Sequence, residues 1–171
     1  MLTSRVIRMR KYKDIEQSIL ENYAGYIAGL FDGEGSFIIR CNKRTRCPNF
    51  YALLSIGMTH KGVILWLRRV LGVTGFSVSR KGRKRIYVLR VTTRDETITI
   101  IEELLPWLRV KKEQAKNLLK MLTLKETGNK KELVMKKAEL YLRNKELNKR
   151  REFDIDKERN ILNQRINDYF R

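Results

Sequence analysis

A chain of 171 residues, 42% hydrophobic and 33% charged, can bury a real core, and one domain is expected at this length. A formal charge of +19 and a pI near 10.2 point to an anionic polymer as partner. Two cysteines and one histidine are too few for a structural zinc site, and no apolar run is long enough to span a membrane.

Residues 1–12 are basic and read as a loose arm. They lack the apolar stretch of a secretory leader, so an intracellular protein is expected. Asp14 to Asp32 reads as helix, with Asn22 placed to cap a separate helix from Tyr23. The segment closes on Ile27-Ala28-Gly29-Leu30-Phe31-Asp32-Gly33-Glu34-Gly35. A helix C-terminus exposes partly negative carbonyls, so Asp32 and Glu34 sit at the electrostatically wrong end. Either a divalent cation joins them, held by a carboxylate and a backbone carbonyl, or they are solvated turn residues at a helix stop. Gly25, Gly29 and Gly33 recur every four residues, with Ala28 beside Gly29. Each interior glycine costs a helix about 0.5–1 kcal/mol relative to alanine. Small residues on one face let another backbone approach closely. Were that backbone the same helix of a second copy, a two-fold axis would set two Glu34 carboxylates side by side.

Ser36 to Lys43 alternates as a strand: Phe37, Ile39 and Cys41 on one face, Ser36, Ile38, Arg40 and Asn42 on the other. A basic turn with Pro48 follows. Phe50 to Met58 alternates again, with Phe50, Ala52, Leu54, Ile56 and Met58 inward and Tyr51, Leu53, Ser55 and Gly57 outward. Thr59 is placed to cap a helix through Leu71. Phe76–Arg80 and Ile86–Thr92 read as a hairpin turning at Lys81-Gly82-Arg83-Lys84. Thr93-x-x-Glu96 has the form of a capping box, and Pro106 ends that helix. Lys111 to Lys125 carries an apolar stripe of Ala115, Leu118, Leu119 and Leu122. After a break at Thr127-Gly128-Asn129, Lys130–Arg150 and Asp154–Tyr169 are charged amphipathic helices.

The order is therefore αββαββα followed by further helices: an α+β fold with a four-stranded antiparallel sheet covered on one face. The other face would carry Arg40, Asn42, Arg44, Tyr51, Ser55, Ser77, Ser79, Lys81, Val88 and Arg90. Between Ser36 and Arg94 there are fourteen Lys or Arg and no acid. Outward strand residues repeat every ~6.6–6.8 Å, which matches roughly two base-pair rises of about 3.4 Å. A two-stranded ribbon fits a major groove. Arg40 and Arg90 suit guanine and Asn42 suits adenine. Lys43, Arg44, Arg46, Lys81, Arg83, Lys84 and Arg85, at the hairpin tips, suit phosphates, which position without specifying. The alternative is an ordinary solvated face. A sheet reading single-stranded RNA would want exposed aromatics, and only Tyr51 fits that role.

The nonapeptide at 27–35 resembles the LAGLIDADG motif of homing endonucleases, conservatively at all nine positions, with Glu34 where the family usually has its final Asp. One copy of the motif at this length is similar to the subfamily that acts as homodimers. The resemblance covers roughly residues 10–150 and implies a basic arm over 1–12, an endonuclease core over 13–150 and a C-terminal helix over 151–171. It implies a curved sheet in the major groove, with Ile38 and Leu53 among the DNA-facing residues. It places Gly25, Ala28, Gly29, Phe31 and Asp32 at the dimer interface. It makes Glu34 and the Gly33 carbonyl ligands of Mg²⁺, in a site that Mn²⁺ or Ca²⁺ could also occupy. Lys111 matches the usual pocket lysine, and His60 falls where relatives hold a polar group near the water network. Ile64 departs from the family, some of whose members carry Arg there; Lys61 could compensate. The implied activity is a staggered double-strand break with 3′ overhangs in a long, partly symmetric DNA site, promoting mobility of the encoding intron. An RNA maturase bound to the host intron, or a non-catalytic DNA-binding regulator, would use the same fold.

Overall fold

The computed structural model describes residues 22–125, 128–148 and 153–171. The arm expected over 1–12, and the helix before residue 22, lie outside the described residues. Helix α1 covers residues 22–33, so Asn22 is itself helical and not a cap. Its last bond runs from the Glu34 N–H to the Leu30 carbonyl at 2.9 Å. Strand β1 (Gly35–Asn42) starts one residue later. That reversal requires Gly35: a Cβ there would lie 2.4–2.8 Å from Phe31 atoms, two of them backbone.

Strand β2 (Asn49–Met58), helix α2 (Lys61–Val70), strands β3 (Phe76–Lys81) and β4 (Lys84–Val91), and helix α3 (Arg94–Leu104) follow. Helices α4 (Lys112–Thr123), α5 (Lys130–Leu147) and α6 (Ile155–Tyr169) complete the chain. The expected element order is thus observed. The sheet order is β1-β2-β4-β3, so β2 and β4 are interior strands. β2 and β4 are antiparallel with Leu54 opposite Val91 and Met58 opposite Tyr87. β3 and β4 pair from Phe76–Leu89 to Lys81–Lys84. That leaves Gly82 and Arg83 as the turn, with Gly82 at φ +62°, as tight hairpins require.

Three local expectations are corrected. His60, not Thr59, caps α2: its Nδ1 accepts from the Val63 N–H at 3.3 Å. Thr93 occupies the N-cap of α3 but makes no side-chain cap bond; its carbonyl instead accepts from Thr97 Oγ1 at 2.7 Å. The buried stripe of α4 is Ala115, Asn117, Leu118 and Met121, with Leu119 and Leu122 only half-buried. Asn117 faces α5, donating to the Leu140 carbonyl at 2.9 Å, which turns the helix away from the expected stripe.

The chain divides into two compact units. The first comprises residues through Ser36 together with Leu54–Val110. Its core joins Ile27, Ala28 and Phe31 of α1 to Ile56, Ile64, Leu67, Leu89, Ile101 and Leu104. Tyr23 and Tyr26 meet Trp66 of α2 edge-on, with centroids 5.3 and 5.5 Å away. The second comprises Phe37–Leu53 and Lys111–Arg171. Its core includes Phe37, Ile39, Phe50, Leu118, Tyr141, Leu142, Leu162 and Ile166. Here Asn144 of α5 imitates a neighbouring strand. It accepts from the Ile39 N–H and donates to the Phe37 carbonyl, each at 3.0 Å. The edge strand β1 therefore has buried partners for groups that would otherwise face outward.

Candidate functional site

The end of α1 separates its two carboxylates. Asp32 Oδ2 accepts from the Arg109 backbone N–H at 2.7 Å, a contact within the first unit. Glu34 is exposed, and its carboxylate is offered to solvent just past the last helical turn, beside the exposed Gly33. One carboxylate and backbone oxygen form a hard, oxygen-only donor set that suits Mg²⁺ or Ca²⁺. Among the described residues no group of three or more His, Cys, Asp or Glu could hold a metal ion by itself.

The small-residue face of α1 is only partly open. A Cβ added at Gly29 or Gly33 meets nothing within 4 Å, whereas one at Gly25 would touch Trp107 at 3.5 Å. Ala28 and Phe31, expected at the dimer interface, are 0% and 1% exposed. That expectation is corrected: both belong to the chain's own core. The exposed apolar surface of this unit is instead supplied by Tyr23, Tyr26, Leu65, Val78, Trp107 and Val110.

His60 is exposed, with Nδ1 accepting in the α2 cap, which leaves the ring proton on Nε2. Ile64 is fully buried, so it is a core residue of α2 and offers nothing to a polar pocket. Lys61 is exposed. In the second unit, the half-buried Lys111 occupies the N-cap position of α4 without a side-chain cap bond.

The sheet residues fall into three groups. Arg40, Arg44, Arg46, Tyr51, Ser79, Arg83, Lys84, Arg85 and Arg90 are exposed, and Ile38, Ser55 and Ser77 half-buried. Arg90 donates to Ser77 Oγ at 2.7 Å across the strands. The Lys81 side chain lies outside what is described. Leu53 and Val88, expected on the outer face, are buried at 3% and 8% exposure. Both lie on interior strands, where flanking strands screen an aliphatic side chain of modest length. Two polar residues are engaged within the loop after β1. Asn42 Oδ1 accepts from the Arg44 N–H at 3.0 Å, an Asx turn that occupies the oxygen adenine recognition would use. Lys43 Nζ lies 2.6 Å from the Glu158 carboxylate. That partner, 115 positions away, gives no local signal in the sequence.

Both thiols are free, and burial pushes each above its ordinary value, Cys41 to about 11. No helix among the described residues is long and apolar enough to cross a membrane.

No protein-family model and no curated protein match the sequence. Solved structures do. The homing endonuclease I-CvuI, in complex with its target in 2 mM Ca, is 20% identical with a TM-score of 0.68, over 85% of this chain and 95% of that chain. The archaeal intron-encoded homing endonuclease I-Vdi141I, complexed with DNA, is 19% identical with a TM-score of 0.60, over 83% and 95%. The LAGLIDADG homing endonuclease I-SmaMI, bound to cleaved DNA, is 18% identical with a TM-score of 0.61, over 82% of this chain but 48% of that one. The chain has the fold of the LAGLIDADG homing endonucleases, a likeness read from three-dimensional structure at identities of 18–20%.

Proposed function

We propose that the chain is a site-specific, divalent-metal-dependent DNA endonuclease that works as a homodimer. The observation that carries this reading is the end of α1: an exposed Glu34 beside a helix face left open at Gly29 and Gly33. A second copy packed on that face brings a second Glu34 to the two-fold axis. The coverage supports the same stoichiometry, since the chain spans nearly all of I-CvuI but half of I-SmaMI.

In this reading the exposed strand residues Arg40, Tyr51, Ser79 and Arg90, with the half-buried Ser55 and Ser77, read base edges. Arg44, Arg46, Arg83, Lys84 and Arg85 hold phosphates. Ile38 lines the same surface. Gly25, Gly29 and Asp32 complete the dimer contact. Glu34 and the Gly33 carbonyl would hold Mg²⁺, which suits a hard oxygen donor set. When bound, such an ion stabilises charge on a phosphodiester and supplies an acidified water. With Nδ1 accepting in the cap, His60 carries its proton on Nε2 and would donate from there to water; Lys111, in the second unit, would stabilise negative charge with its ammonium. Each copy serves one strand, which gives a staggered break with 3′ overhangs in a long, partly symmetric site, and mobility of an encoding intron follows from such a break. An intracellular location is proposed with it.

The test is cleavage of a randomised duplex library with Mg²⁺, against EDTA and Glu34→Gln. Discrete cuts lost in both controls are expected, with Glu34→Gln still binding DNA. Cutting by Glu34→Gln would remove Glu34 as the ligand. Specific binding without cuts by the unaltered chain would indicate a DNA-binding regulator. Neither binding nor cutting would turn attention to host intron RNA.

A further inference from the structure

The segment joining β1 to β2 carries Lys43, Arg44 and Arg46 and no acid. Like charges this close repel, so an exposed connection of this composition does not hold one conformation by itself. It is nonetheless tied at many points, all within the second unit. Thr45 Oγ1 lies within hydrogen-bond distance of the Asn42 and Cys47 carbonyls, at 3.1 and 2.6 Å. Arg165 of α6 donates from one nitrogen, Nη2, to the Lys43 and Thr45 carbonyls at 2.6 and 3.0 Å. Glu158, one turn-pair earlier on α6 and 7% exposed, takes the Lys43 ammonium and accepts from Tyr141 Oη at 3.3 Å. The Arg46 guanidinium lies over the Tyr169 ring, 5.8 Å from its centroid.

The choice of anchor is informative. Arg165 adds a fourth cation to a cluster that holds two acids, Glu158 on Lys43 and Asp168 beside Arg46 and Arg165, so the cluster stays net positive and suits a polyanion. Meanwhile the two cations left exposed, Arg44 and Arg46, ride on a backbone whose carbonyls are fixed. Ordering a side chain's attachment point before binding lowers the entropy lost on contact.

We infer that α6 is the positioning element of this loop. Arg165 and Glu158 fix its backbone so that Arg44 and Arg46 meet duplex phosphates already ordered, and Lys43 is held back by Glu158. This rests on the duplex-DNA reading above.

The test titrates the full chain, Arg165→Ala, the Arg44→Ala/Arg46→Ala pair and the triple variant with a duplex selected from the library, by fluorescence anisotropy between about 50 and 200 mM salt. Each lost phosphate contact flattens the slope of log affinity against log salt by about 0.9. Arg165→Ala should flatten it by about one to two contacts' worth. In the background lacking Arg44 and Arg46, the same change should cost less than about twofold. Additive losses, or an unchanged slope, would overturn the positioning role. If circular dichroism shows Arg165→Ala unfolded, Arg165→Gln, which keeps a donor for one carbonyl, is read the same way. Glu158→Gln gives the opposite sign: Lys43 released to phosphate should steepen the slope by about one contact, and a slope that stays level or flattens overturns that part. An unaltered chain that binds no duplex removes the DNA reading itself; one that binds with additive losses removes only the positioning role.

Discussion

At the scale of single residues, His60 shows how one side chain can hold two roles. Its Nδ1 caps α2, and losing an N-cap costs about 0.5–2 kcal/mol. Asparagine is also a strong N-cap, so His60→Asn should keep stability within a few tenths of a kcal/mol where His60→Ala does not. If Nε2 serves the water network, His60→Asn should still lose cleavage by about 10²-fold or more. A stable His60→Asn that cuts normally would leave His60 with the cap alone. Cys41 offers a pH readout. Its folded-state value is raised by burial, against the lowering effect of Lys43, from 9.0 to about 11. The unfolded thiol ionises first, so the stabilisation is complete below pH 9 and is lost as pH rises from 9 to about 11. Denaturation midpoints should therefore fall more steeply across that window in the natural chain than in Cys41→Ser. Parallel curves would refute the shift. Residue identities read from alternation succeeded where one strand face decides burial, as at Phe37 and Ile39, and failed at Leu53 and Val88, because alternation carries no information about which strands are interior.

At the scale of elements, the strands, the hairpin tip at Gly82 and the C-terminal helices were legible because each has a local cause: period-two apolar spacing, a positive φ, an Asn or Asp cap. Asn129, read as part of a break, and Asp154, read as the first helical residue, are the N-caps of α5 and α6, accepting from the Glu132 and Lys157 N–H groups. What was not legible is what α5 and α6 do to the sheet edge, since Asn144 reaches Ile39 across 105 positions. That bracket has a measurable consequence. Asn144→Ala removes one bond each from the Ile39 N–H and the Phe37 carbonyl of β1, two buried backbone groups, at about 1–3 kcal/mol each. A loss of about 2–4 kcal/mol is expected in urea denaturation, seen as a lower midpoint at unchanged m-value. A loss below about 1 kcal/mol would mean that water replaces the amide.

For the whole molecule, charge and assembly pull in opposite directions. Every strand and α2 lie inside the acid-free stretch from Gly35 to Arg94, so all of the carboxylates lie outside the sheet and α2. Two copies at +19 each repel one another, and salt screens that repulsion over a Debye length of about 8–10 Å. DNA binding has the reverse dependence, since 6–10 phosphate contacts lose about 10³–10⁵ in affinity between 50 and 200 mM salt. The proposed homodimer should therefore tighten with salt in sedimentation equilibrium over the same range in which DNA affinity collapses. Gly29→Leu separates the two effects. Among the described residues, outside its own turns of α1, nothing lies within 4 Å of a Cβ at Gly29, so a side chain there starts in open space and should obstruct a second backbone more than the monomer fold. The variant should sediment as a monomer at every salt concentration and lose double-strand cutting, while its thermal midpoint stays near that of the natural chain at low protein concentration. A Gly29→Leu protein that remains dimeric would place the contact elsewhere, with the exposed Tyr26, Trp107 and Val110 as the next surface to alter.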